Sequence, residues 1–88
     1  MKPIIVCSRN AILFGWTADP TAIPLRLEKA RWAYYWVNPG GHLGLAETGP
    51  QVGSRIGSAG TITLTEVACV IDATAGADVW EAYPVSTS

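Results

Sequence analysis

Pro3-Ile4-Ile5-Val6-Cys7, then Ser8-Arg9-Asn10, then Ile12-Leu13-Phe14-Gly15-Trp16 set two apolar, β-prone runs on either side of a short polar break. Runs of this length bounded by turn formers read as strands, so the chain opens on a β-hairpin that turns through Ser8-Arg9-Asn10. Gly15, inside the second run, predicts a bulge or a close approach of another backbone segment. The first run is too short for a secretory leader and polar residues follow it at once, so it belongs to the fold.

Working outward, Ala18-Asp19-Pro20-Thr21 is a loop and Ile23-Pro24-Leu25-Arg26-Leu27 alternates like a half-exposed strand. Pro24, which cannot donate to a ladder, places that strand at an edge. Glu28-Lys29-Ala30 fits one helical turn. Trp32 to Val37 is aromatic and β-prone; period two puts Trp32, Tyr34 and Trp36 on one face and Arg31, Ala33, Tyr35 and Val37 on the other. Asn38-Pro39-Gly40-Gly41 breaks the run, and His42-Leu43-Gly44-Leu45-Ala46 reads as a short strand feeding a glycine-rich loop from Thr48 to Gly57. Beyond Ser58-Ala59-Gly60, Thr61 to Leu64 alternates again. The register slips near Thr65-Glu66, and Val67 to Ala73 is the best candidate for a buried strand. Thr74 fits the N-cap of a short helix through Ala75, Ala77, Val79, Trp80 and Tyr83, which Pro84 ends. Six or seven short strands and one C-terminal helix make an α+β, mainly antiparallel β domain over 1–84, with 85–88 as a loose tail.

Eighty-eight residues form one domain. Hydrophobic residues reach 49% and charged residues only 15%, against a usual charged share of about 25%. Four tryptophans must find cover in a small core. Thirteen charged side chains cover a surface of roughly 5,000 Å² thinly, so the composition predicts a homo-oligomer that closes apolar surface against a copy of itself. Net charge is −1 and the six basic residues are scattered, which argues against a nucleic-acid polymer or a membrane surface as partner. No run approaches the ~18 apolar residues of a membrane span. Cys7 and Cys69 lie in strand-like runs without metal or disulfide-framework spacing and read as buried reduced thiols of a cytoplasmic protein.

Catalytic signals are missing. His42 is the one histidine, with no Ser or Cys nucleophile motif beside it. Glu47, Glu66, Asp72, Asp78 and Glu81 show no paired-carboxylate spacing. One histidine and two separated cysteines make a poor zinc set, and no Gly-Lys-Ser/Thr completes a Walker loop. The expectation is a protein that is not an enzyme, with no metal and no cofactor.

Two segments carry binding chemistry. In Thr48-Gly49-Pro50 to Ser54-Arg55, Gly49 and Gly53 permit φ > 0, Pro50 stiffens the turn, Thr48 and Ser54 offer hydroxyls, and Arg55 offers five donors. A phosphate placed there would receive backbone, hydroxyl and guanidinium hydrogen bonds together, although the same letters also spell an ordinary turn between strands. The second segment is Arg31 with Tyr35 and Trp36, where flat faces stack on bases at ~1–3 kcal/mol each. Arg31 either takes a second anion or pairs with Glu28 or Glu47. Trp32, Tyr34 and Trp36 serve as core, as subunit interface, or as a stacking platform. The candidate ligand-binding residues are thus Arg31, Tyr35, Trp36, Thr48, Gly49, Ser54 and Arg55.

Ile4-Ile5-Val6-Cys7 with Leu13-Phe14-Gly15, Ala30-Arg31 with Tyr35-Trp36, and Leu45-Ala46-Glu47-Thr48-Gly49-Pro50 with Ser54-Arg55-Ile56 together resemble a family of small proteins of tailed bacteriophages and prophages. Leu64-Thr65-Glu66-Val67 and Ala77 to Glu81 continue the resemblance along nearly the whole chain. Asn10-Ala11 departs from it, since similar sequences carry Arg-Gly there. The resemblance brings no activity; it implies an accessory protein made in the host bacterial cytoplasm. The leading expectation is a non-enzymatic binder of a phosphorylated or nucleotide-like small molecule, one use of which is sequestering a host immune signal. The alternatives are an inhibitor that binds a host protein and a virion or assembly component.

Overall fold

β1 (Lys2–Ser8) and β2 (Ala11–Thr17) pair antiparallel with Cys7 opposite Ile12, Ile5 opposite Phe14 and Pro3 opposite Trp16. The N-terminal hairpin is as expected. Its turn at 9–10 lies outside the described residues, which are 1–8, 11–36 and 41–84 of this computed structural model, without the side chains of His42 and Ala59. The break expected at 38–40 and the tail at 85–88 also fall outside them. β3 (Leu25–Tyr35) pairs with β2, and the chain then forms α1 (Gly41–Thr48). β4 (Arg55–Leu64) pairs with β3, and β5 (Cys69–Asp72) returns to the other side of β1. The order is β4-β3-β2-β1-β5 with every pairing antiparallel, and α2 (Ala77–Ala82) follows. The fold is α+β and mainly antiparallel β.

Pro3 through Cys7 are all buried, so β1 is covered on both faces, which explains its unbroken apolar run. On one face Ile5, Cys7, Ile12, Phe14, Ala33 and Ile56 pack under the two helices through Leu45, Ala46, Ala77 and Trp80. Trp80 is fully buried, stacked on Phe14 at 5.1 Å, and its indole N–H donates to Leu45 O at 2.9 Å. On the other face Ile4, Val6, Leu13, Leu25, Leu27 and Ala30 form a second core with Ile62, Leu64 and Val67.

Among the described residues no helix covers that second core; the sheet curls over it. Residues 65–68 join β4 at one edge to β5 at the other. Five extended steps reach at most about 18 Å, whereas four inter-strand gaps of a flat sheet span about 19 Å. The two edges must therefore bend toward each other. Ser8 Oγ donates to Glu66 O at 2.6 Å and the Ala68 N–H to Cys7 O at 2.7 Å, tying the crossing segment to the end of β1.

Several elements differ from the sequence reading. The strand expected over Ile23 to Leu27, the helical turn at Glu28-Lys29-Ala30 and the aromatic strand are one strand, β3. Lys29 has φ +52°, and the pairing shifts between Leu27 and Ala30. This bulge lets Leu27 and Ala30, three residues apart, share the inner core. Pro24 precedes an interior strand and marks no edge. Trp36 lies beyond the end of β3 and packs with the helix-side core, leaving the face it was expected to share with Trp32 and Tyr34.

His42 to Ala46 is helical because Leu45 and Ala46, adjacent in sequence, are both buried, which a strand cannot do against a single core. β4 takes over Arg55 to Gly57 from the expected loop. β5, read as the most buried strand, is an edge with Cys69, Val70 and Asp72 exposed. Thr74 does not cap α2: its N–H and hydroxyl both donate to Asp72 Oδ1, and Gly76 occupies the cap. At Gly15 the pairing with β3 shifts register between Phe14 and Trp16, the irregularity expected there, and a Cβ would stand 3.0 Å from the Leu27 side chain.

Candidate functional site

The fold brings the two expected binding segments together. Tyr35 sits opposite Arg55 across β3 and β4, and α1 with the loop after it leads into the same corner beneath α2. Most of the side chains that meet there are engaged with the protein itself.

Arg31 is half-buried, with Nη1 donating to Tyr83 O at 2.6 Å and Nη2 to Glu81 O at 3.1 Å. These carbonyls belong to the C-terminal end of α2, where a helix leaves acceptors unpaired and carries partial negative charge. Arg31 is a clamp between β3 and α2. It pairs with neither of the carboxylates considered from sequence: Glu28 Oε2 lies 3.9 Å from Arg26 Nε.

Thr48 Oγ1 reaches Gly44 O at 2.8 Å and Gly49 O at 3.2 Å, and accepts from Gln51 Nε2 at 3.3 Å. Its hydroxyl finishes α1. Gly49 has φ +71°, the conformation that ends helices and suits glycine, and its N–H donates to Leu45 O at 3.0 Å. A Cβ on Gly49 would stand 2.6 Å from Val79 Cβ; one on Gly76 would stand 2.8 Å from Ala46 O. The end of α1 thus lies backbone to backbone on the start of α2. Ser54 is buried, and Tyr83 Oη reaches Ser54 O at 2.6 Å and Gln51 O at 3.1 Å. The segment expected to cradle a phosphate is a packed joint between two helices and β4. Trp36 is half-buried against the helix-side core.

Tyr35 and Arg55 remain. Tyr35 is 55% exposed, and Arg55 is exposed with no ion pair or side-chain hydrogen bond among the described residues. On the same strand, Trp32 and Tyr34 stack at 5.3 Å with 27° between their planes, and are 39% and 55% exposed. Gly57 lies directly beneath Tyr34; a Cβ there would collide with Tyr34 Cε2 and Oη. The aromatic stack therefore rests on bare backbone.

Other surface features were not foreseen. Asp19-Pro20-Thr21 and Asp72-Ala73-Thr74 form matching turns in which each aspartate accepts the threonine hydroxyl and N–H. Those hydroxyl bonds, then the N–H bonds, hold both carboxyls below the usual carboxylate range. The repeated Asp-x-Thr spacing was the available signal. A cavity of about 380 Å³ lies beside the second turn, lined by Lys2, Ile4, Pro20, Val70, Asp72 and Thr74. Another of about 270 Å³ lies between Met1, Trp16, Glu28, Lys29 and Glu81. Pro50, Val52, Val79, Ala82 and Pro84 border a shallow apolar depression. Among the described residues no group of three His, Cys, Asp or Glu could hold a metal, and no helix is long and apolar enough to cross a membrane.

Residues 1–80 match the model of a domain of unknown function, DUF6948, and the chain belongs to that family. No curated protein and no solved structure matches it.

Proposed function

We propose that this DUF6948 protein is a non-enzymatic binding module that engages a protein partner through the Trp32–Tyr34 stack. The observation that supports this reading is the stack itself, two large rings held together and exposed above Gly57. Rigid aromatics lose little entropy on contact and are frequent anchors of protein interfaces. The hydroxyls, the glycine backbone and the Arg31 fork that would have built a phosphate site serve the fold instead. In the phage accessory setting that the sequence resembles, the partner is a host protein in the bacterial cytoplasm.

Gly57→Ala tests the reading without removing an aromatic group. The added methyl drives the Tyr34 ring off its seat, and the far end of a side chain moves readily. With the partner identified by affinity capture, both Tyr34→Ala and Gly57→Ala should weaken its binding at least tenfold while the melting curve stays cooperative. Unchanged affinity in both variants would reject the stack as the contact.

Tyr35 opposite Arg55 favours a second reading, a phosphorylated or nucleotide-like small molecule held by one ring and one guanidinium. A melting shift with such a compound that disappears in Arg55→Ala would establish it. A second copy of the chain suits the apolar depression around Val52 and Val79. Sedimentation of wild type against Val52→Asp tests that association.

A further inference from the structure

Cys7 and Cys69, 62 positions apart in sequence, are direct cross-strand partners of β1 and β5. Directly opposite residues of an antiparallel pair project to the same face, and the two thiols hydrogen-bond to each other. Cys7 is buried and Cys69 is exposed, which corrects the expectation that both are buried. We propose that Cys7 and Cys69 are a reversible redox pair, closing an internal disulfide that fastens β5 to β1 when the protein meets a low-molecular-weight disulfide.

Ladder geometry permits the bond and makes it labile. The Ala73 N–H donates to Pro3 O at 3.0 Å, so Pro3–Ala73 is a hydrogen-bonding position of the ladder. Such positions alternate, so Ile5–Ile71 and then Cys7–Cys69, four pairs along the register, are of the same kind. Their Cα atoms are then about 5.5 Å apart, inside the ~4.4–6.8 Å span of disulfides. Cβ atoms at such positions lie near the upper end of ~4.5–5.5 Å, whereas a bridge needs ~3.8 Å. The end of β5 must shift inward, and a bond closed under strain is more easily reduced. β5 has four residues and lies at an edge, so it can shift without disturbing the interior strands.

The exchange balances in two steps. The exposed Cys69 thiol loses its proton and attacks one sulfur of oxidised glutathione, forming a mixed disulfide and releasing one glutathione thiolate, which takes up a proton. Cys7 then loses its proton and attacks the Cys69 sulfur, releasing the second glutathione. Two protein thiols are oxidised and one glutathione disulfide is reduced. Burial, then the Cys69 thiol and its charge, push the Cys7 thiol up to about 12. Cys7 is therefore the group that reacts second, after the mixed disulfide has removed the charge of Cys69.

The test equilibrates the reduced full-length protein in buffers of rising oxidised-to-reduced glutathione ratio, alkylates it, and reads intact mass. Both thiols should vanish together, leaving a monomer lighter by two hydrogens, carrying no glutathione and restored by excess reduced glutathione. Cys7→Ser should keep one glutathione on Cys69, and folded Cys69→Ser should stay unmodified. If Cys7→Ser does not fold, the wild-type mass decides alone. A lasting glutathione adduct on wild type, Cys69-linked dimers, or two alkylatable thiols in fully oxidised glutathione would each overturn the proposal.

Discussion

Arg31→Ala should unsettle the whole domain, while Arg55→Ala should leave its stability almost untouched. The two arginines looked alike in the sequence; their surroundings separate them. Arg31 supplies two hydrogen bonds, at 2.6 and 3.1 Å, to the last carbonyls of α2. Bonds with one charged partner contribute ~1.5–3 kcal/mol each when well shielded. Here the guanidinium is half-exposed, the second bond is long, and both carbonyls can turn to water. A discounted total of about 2–3 kcal/mol is therefore reasonable. A domain of this size has ~4–13 kcal/mol in all, and each kcal/mol moves its midpoint by ~4–8 °C. Arg31→Ala should lower Tm by on the order of 10–15 °C. Arg55→Ala should stay within about 3 °C, as surface changes away from any partner do. Arg31→Lys should fall between, since a lysine keeps the charge at the helix end but not the fork. Far-UV circular dichroism melts, with urea titrations to check that m is unchanged, read all three. An Arg31→Ala melt within about 3 °C of wild type, or an Arg55→Ala melt as low as that expected for Arg31→Ala, would refute the assignment of Arg31 as the clamp.

Other consequences are independent of that one. Trp80→Phe should cost ~0.5–1.5 kcal/mol in urea unfolding for the lost hydrogen bond, since Leu45 O keeps the Gly49 N–H as a donor. Trp16→Phe should lose no hydrogen-bond energy, since the buried Trp16 Nε1 has no partner among the described residues. Gly49→Ala should destabilise by more than ~1 kcal/mol, and a double-mutant cycle with Val79→Ala should recover part of the loss, because the new methyl also stands 2.7 Å from Val79 Cγ1, which alanine lacks. Asp19 and Asp72 ionise below the ordinary carboxylate value. The stability they add is therefore complete above roughly pH 4 and disappears as pH falls through their folded values. Asp19→Asn and Asp72→Asn should flatten the acid limb of a stability–pH curve, and an unchanged limb in the double variant would contradict the role given to these turns.

The N-terminal hairpin was legible because its pattern is local: two apolar runs, one polar break, and a glycine where Leu27 comes close. The bulge in β3 was not, since Glu28-Lys29-Ala30 suits a helical turn as well as a strand. What decides the matter is that Leu27 and Ala30 must both reach a core built largely by other strands. α1 was hidden for a related reason. Leu43 and Leu45 alternate as in a strand, yet Leu43 ends up exposed while adjacent Leu45 and Ala46 are buried. Gly49 was the overlooked stop signal. Val67 to Ala73 read as buried because it is apolar, but a strand's place at an edge comes from topology and leaves no mark on its composition. The site was legible as a meeting of segments and not as chemistry. Arg31 binds backbone carbonyls 50 and 52 positions away, and carbonyl acceptors are common to every residue type.

The same tools that would build a phosphate site also build a helix joint. A glycine at φ > 0, a hydroxyl and a cation satisfy carbonyls and amides at helix ends as readily as they satisfy an anion. In this chain α2 is six residues long and has almost no stability of its own. It is held at its start by the Gly49–Gly76 contact and the Trp80 N–H, and at its end by Arg31 and Tyr83. That demand accounts for Arg31, Thr48, Gly49 and the Ser54 backbone. It also has a consequence for the opposite face of β3. Side chains alternate along a strand, so anchoring Arg31 to α2 on one side fixes the direction in which Trp32 projects on the other. The stack proposed as the contact surface is thereby braced from behind, and Arg31→Lys, if it still folds, should weaken partner binding without touching the partner.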